Sequence, residues 1–221
     1  MVQTLASVAP KAGFSIGSIR LIDRPVLGAL VAEVLAIGSR IDYEWTSLMA
    51  SLARADMQAM MAMHSAVISS DARRAMVKSV AALKMEKDHH RLFLAIDKVT
   101  KPCRGLRNNF AHHIWGACDE LPDAMLLIDP TAIIDFRVWL ATSSRADSRP
   151  NHHDRMFVYF ENDLKEAVKT MEEGLALVST FVMLGHERGE VRAETQKLLE
   201  SQPQVAQALQ SLSRKNGPEI Q

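Results

Sequence analysis

One pattern limits this chain more than any other. Leu27, Leu30, Val31, Val34, Leu35, Gly38, Ile41, Trp45, Leu48, Met49 and Leu52 recur at i, i+3, i+4 and i+7. That period places an apolar stripe on one side of a long α-helix, and Pro25 suits its first turn. The pattern returns in Leu164, Ala167, Val168, Met171, Leu175, Val178, Phe181 and Val182, before Gly185. Asp163-Leu-Lys-Glu166 reads as a capping box with Asp163 as the cap. Two such stripes must be buried against other helices, so the chain is predicted to be mainly α.

Shorter helical segments fill the space between them. Met57, Met60, Met61, His64, Val67 and Ile68 form one segment, and a third helix runs from about Ala72, capped by Asp71, to about Leu83. Leu92, Phe93, Ile96 and Val99 mark a fourth. Thr100-Lys101-Pro102 then kinks that helix or begins another, which reaches about Trp115. Between Trp115 and Phe160 the helical period stops. Residues 124–128 and 156–160 are predicted to be two short paired strands, with Phe136–Leu140 a candidate third, and the polar 143–154 stretch around Pro150 a loop. A charged helix is expected at about 188–211. The predicted organisation is a partly ordered lead-in at 1–24, one helical domain at 25–212 with a β insertion at about 116–160, and a flexible tail at 213–221.

With 221 residues, 48% of them hydrophobic and only 5% aromatic, but 12 Met, the chain has the means for one adaptable helical core. Lys+Arg and Asp+Glu balance at 26 each, so no global field draws it to nucleic acid or to an anionic membrane. Cys103 and Cys118 form no disulfide framework, and no stretch has the length and apolarity of a membrane span. The sequence therefore leads to the expectation of a cytoplasmic protein without a membrane association.

Chemistry concentrates in Arg107-Asn108-Asn109-Phe110-Ala111-His112. Asn108 and His112, four apart, share one helix face; Arg107 lies about 100° from Asn108, within reach of a long side chain. A guanidinium holds phosphate through a planar fork, and an imidazole exchanges protons near neutral pH. The same residues also suit interhelical contacts. Residues 84–107 carry seven cations against three anions, a net of +4, and Asp119, Glu120, Asp123, Asp129 and Asp135 follow without an intervening Lys or Arg. His89-His90, His112-His113 and His152-His153 are adjacent pairs, which diverge by about 100° on a helix and rarely chelate alone. No metal or other cofactor is expected.

The block Leu106–His112, late in a set of helices, resembles the R-x(4–6)-H motif of HEPN-domain proteins, in which a polar residue follows the Arg. The resemblance spans about residues 25–185. It implies a HEPN-like helical bundle, a homodimer facing two motifs across a cleft, and metal-independent endoribonuclease activity of a toxin or antiphage kind, with an antitoxin or regulator as a further partner. On that basis Arg107 would hold the scissile phosphate, His112 would act as acid or base, and Asn108 would position both. Glu44, or Asp42, would be the acidic partner of Arg107, and Lys98, Lys101 and Arg104 would bind RNA. The alternative is a non-catalytic HEPN-like module for helical interaction or for binding nucleotide or RNA. The β insertion departs from the smallest HEPN bundles.

Overall fold

The structure is a computed structural model that describes residues 2–17, 21–142, 152–185 and 189–215. It is mainly helical, with a small antiparallel sheet of five strands. The described elements are β1 (Gln3–Thr4), α1 (Leu5–Val8), β2 (Ser15–Ile16), α2 (Pro25–Ala53), α3 (Met57–Ala66), α4 (Ser70–Lys84), α5 (Lys87–Val99), α6 (Lys101–His112), β3 (Ile114–Ala117), β4 (Met125–Ile128), α7 (Pro130–Thr142), β5 (Met156–Tyr159), α8 (Glu161–Leu184), α9 (Gly189–Ser201) and α10 (Pro203–Lys215). Two compact units emerge, Met1–Ala36 with Gly105–Met171 and Ile37–Arg104 with Glu172–Gln221. Helices α2, α6 and α8 contribute residues to both.

The first unit is organised by the sheet, whose order is β1-β5-β4-β3-β2. Residues 1–24, expected as a lead-in, supply both of its outer strands. Gln3 pairs with Val158 and Ser15 with Ala117, so one short segment of chain closes both edges. Central β4 is buried on both faces, which is why Met125-Leu-Leu-Ile128 is uniformly apolar rather than alternating. The register groups Gly116, Leu126, Ile128, Met156 and Val158 on one face, and these pack with Leu5, Ala12, Cys118 and Ile133. On the opposite face lie Trp115, Met125, Leu127, Phe157 and Tyr159. Phe110 of α6 meets that second face edge-on, 5.6 Å from Trp115 and 5.2 Å from Tyr159. Gly116 allows the sheet to close, because a Cβ there would stand 2.6 Å from the Ser15 carbonyl oxygen.

Several local expectations are corrected. Phe136–Leu140 belongs to helix α7 and not to a third strand. The helix starts at Pro130, and the Asp129 carboxylate accepts from the Thr131 backbone N–H at 2.8 Å, a Pro-led start with an acidic cap. The motif helix ends at His112, and Ile114 and Trp115 are already in β3. Helix α8 begins at Glu161, so Asp163 lies in its first turn and is not its cap; its carboxylate instead accepts from the Phe160 backbone N–H at 3.1 Å. Ser69, not Asp71, caps α4 by accepting from the Ala72 N–H at 3.2 Å. The charged helix expected at 188–211 is two helices, separated at Gln202 before Pro203. Most of the expected loop, residues 143–151, and the tail from 216 onward lie outside the described residues.

The second unit holds an aromatic core. Trp45 of α2 stands edge-on to Phe93 of α5 at 5.5 Å, and Phe181 of α8 lies 6.4 Å from the first ring and 6.1 Å from the second. Fully buried Val205 lies on α10, which packs against α5. The buried thiol of Cys103 sits where a side chain on Gly174 would otherwise be, a close approach that only glycine permits.

Candidate functional site

The orientation of the motif follows from Phe110. With that ring fixed against the sheet, the 100° helical step puts Asn108 and His112 each about 160° away from it, on the side facing outward from the unit's core. Arg107 falls about 60° from Phe110, on the flank. Burial agrees: Phe110 is buried, Arg107 and Asn108 are half-buried, and His112 is exposed at the helix end. The flanking guanidinium turns outward, since Arg107 Nη1 donates to Asn108 Oδ1 at 3.3 Å. A guanidinium is thereby drawn toward the face that carries the imidazole. His113 turns the other way and stacks on Phe157 at 6.3 Å.

The remaining candidates are distributed otherwise. Glu44 accepts a hydrogen bond from Ser179 Oγ at 3.2 Å. Lys98 Nζ donates to Ser211 Oγ of α10 at 2.6 Å, and neighbouring Arg91 donates to Ser213 Oγ, so α10 engages part of the basic run. Lys101 is exposed. Arg104 is drawn inward and donates to Asp97 at 3.0 Å. The histidine pairs find aromatic neighbours: His89 lies 4.9 Å from Phe181 and His90 6.0 Å from Phe93, while His152 meets Phe136 edge-on at 6.5 Å. His153 Nδ1 lies 2.9 Å from the Pro10 carbonyl. Burial lowers His89, further helped by Arg192, and it lowers His64, on which Arg73 acts in the same direction.

A second polar cluster, in the second unit, escaped the sequence reading. Asp97 is only 5% exposed and receives three cations: Arg74 Nε at 2.5 Å, Lys78 Nζ at 2.6 Å and Arg104 Nη1 at 3.0 Å. The Arg74 guanidinium carbon lies over the Trp45 ring, 3.8 Å from its centroid, and is 5.2 Å from that of Phe93. Burial pulls Arg74 down to about 10 against the opposing pull of Asp97. Burial alone would raise the Asp97 carboxyl, but Arg74 and Lys78 hold it below the ordinary carboxylate range. One signal was legible. Arg74, Val77 and Ala81 follow a helical apolar stripe, and an Arg in such a stripe must be paired inside.

Among the described residues no helix is long and apolar enough to cross a membrane. The class that the coordinates define is a mainly helical protein with a small antiparallel sheet. No family model, no curated protein and no solved structure matches the chain.

Proposed function

We propose that this protein is a HEPN-like, metal-independent endoribonuclease, active as a homodimer, with Arg107 and His112 at its centre. The observation that supports this reading most is the outward face of α6. An exposed imidazole and the Asn108 amide share that face, and the Arg107–Asn108 hydrogen bond brings a guanidinium to it. In this reading Arg107 holds a non-bridging phosphate oxygen and offsets the charge that develops there. His112 takes the proton of the ribose 2′-hydroxyl as that oxygen attacks phosphorus, or returns a proton to the departing 5′-oxygen. The P–O5′ bond breaks, leaving a 2′,3′-cyclic phosphate and a free 5′-hydroxyl. Asn108 fixes the guanidinium.

Purified protein is expected to cut RNA in the presence of EDTA and leave cyclic-phosphate ends. His112→Ala is expected to remain folded and lose activity by about 10²–10⁴-fold, the usual worth of a positioned acid or base. Unchanged cutting by that variant removes His112 from the mechanism. A second reading, a non-catalytic interaction module, draws on the exposed apolar side chains Ile134, Val138 and Leu140 of α7 and on the internal engagement of Lys98 and Arg104. It predicts intact RNA and a loss of partner binding when Ile134 and Val138 are made polar.

A further inference from the structure

The cluster around Asp97 carries more positive charge than its own residues balance. Three cations contact a single carboxylate, and Asp42 acts on Arg74 only through space, so the contact set has two positive charges in excess. Arg74 itself is 94% buried, and Nε is the one nitrogen it commits to Asp97. Its Nη1 and Nη2 are buried and have no hydrogen-bond partner among the described residues. Those two groups hold four N–H donors, two of them on the end edge of the fork. Donors enclosed without an acceptor are strongly unfavourable, more so when they belong to an ion.

We propose that Arg74, Lys78 and Arg104 form a binding site for one oxyanion, a free phosphate or a terminal phosphate monoester, held end-on by Nη1 and Nη2 of Arg74. The two Nη donors match two oxygens of a tetrahedral oxyanion in one plane. Asp97 fixes the fork from its Nε side and leaves the end edge without an acceptor; that edge is closed to solvent here, so the ligand enters by displacing neighbouring side chains. Trp45 lies beneath the guanidinium carbon at 3.8 Å. Lys78, with its side chain 45% exposed, and Arg104, 25% exposed, supply the remaining charge from the solvent side. A single water would accept from the same N–H groups but leave the excess charge uncompensated. Because Arg74 is enclosed, a terminal or free phosphate is favoured over the continuous backbone of a polynucleotide. The site's centre, Arg74 and Asp97, lies in the second unit and uses neither Arg107 nor His112, although Arg104 is three residues before Arg107 on α6, and the proposal does not depend on the ribonuclease reading.

The test uses the full chain and thermal unfolding, with inorganic phosphate in one arm, adenosine 5′-monophosphate in a second, and sodium chloride at matched ionic strength as reference. Phosphate at ten times its dissociation constant is expected to raise Tm by about 3–6 °C over chloride, through preferential binding to the folded state. A larger response to the nucleotide identifies the monoester as the ligand, and a larger response to inorganic phosphate identifies free phosphate. Arg74→Lys keeps the charge but lacks the fork, and is expected to abolish the phosphate-specific rise. Arg104→Gln, at a partly exposed position, serves if Arg74→Lys does not fold, and is expected to weaken phosphate binding about tenfold. His112→Ala should respond as the parent does. Equal stabilisation by chloride, a rise that survives both cluster substitutions, or a crystal structure from phosphate solution with only water at Nη1 and Nη2 overturns the proposal.

Discussion

Replacing Asp97 with Asn isolates the energetics of the buried cluster. The two side chains are nearly isosteric, so packing is kept while one buried negative charge is removed. Contacts from Lys78 and Arg104 reach solvent, and exposed or half-exposed pairs contribute about 0–1 kcal/mol each. The Arg74 contact is different, since both partners are almost fully enclosed. Removing one partner of such a pair costs about 3–5 kcal/mol, because the other charge is left buried without compensation. For a chain of this size that corresponds to a fall in Tm of about 6–20 °C. The assay is urea unfolding followed by circular dichroism at pH 7, with phosphate-free buffer. Arg74→Met should cost less than Asp97→Asn, because Asp97 then retains two cations and the unsatisfied N–H groups disappear. Acid supplies an internal check on the sign. Since the folded state holds Asp97 below its unfolded value, its contribution is complete above about pH 4 and is lost as the pH falls through the folded value. The gap between parent and Asp97→Asn should therefore close in strong acid. A loss of under about 1 kcal/mol at pH 7, or a gap that widens in acid, would refute the reasoning.

Two other perturbations have definite signs. Gly174→Ala drives a methyl group into Cys103 Sγ and is expected to cost about 1–3 kcal/mol; Cys103→Ala in the same chain should relieve most of it, giving a non-additive double-mutant cycle in denaturant midpoints. His64 and His89 are both held below 6.5 by burial, so the unfolded chain binds more protons in the window beneath that value. Stability should fall as the pH drops from about 7 toward 5, and His89→Leu should flatten part of that slope in midpoints measured at each pH.

The long helices were legible because their burial has a period that sequence displays: Val31, Val34, Ile41, Trp45, Leu48 and Met49 are buried as the stripe requires. Helix α7 was obscured by its own composition. Ile133, Ile134, Val138 and Trp139 favour strands by type and, with Leu140, surround the helix on every side, so no apolar stripe distinguished the two conformations. Strands β1 and β2 are two residues long, and their partners lie a hundred or more positions away; nothing in the local pattern encodes such a pairing. At the motif, spacing gave the shared face of Asn108 and His112, while the inward anchor Phe110 and the turn of Arg107 toward Asn108 required coordinates. Asp97 was counted as one anion in a basic run, yet its burial makes it the centre of three cations.

The placement of β1 and β2 bears on how the chain is made. On a ribosome these strands emerge well before β3 has been translated, and β5 follows some forty residues after that. Until Tyr159 has been synthesised, the early segment has no complete ladder to join, and β3, β4 and β5 then present open hydrogen-bonding edges until it docks. A chain that loses residues 2–17 would leave the β3 and β5 edges of its sheet without these partners, ready to recruit strands from its neighbours on the polysome.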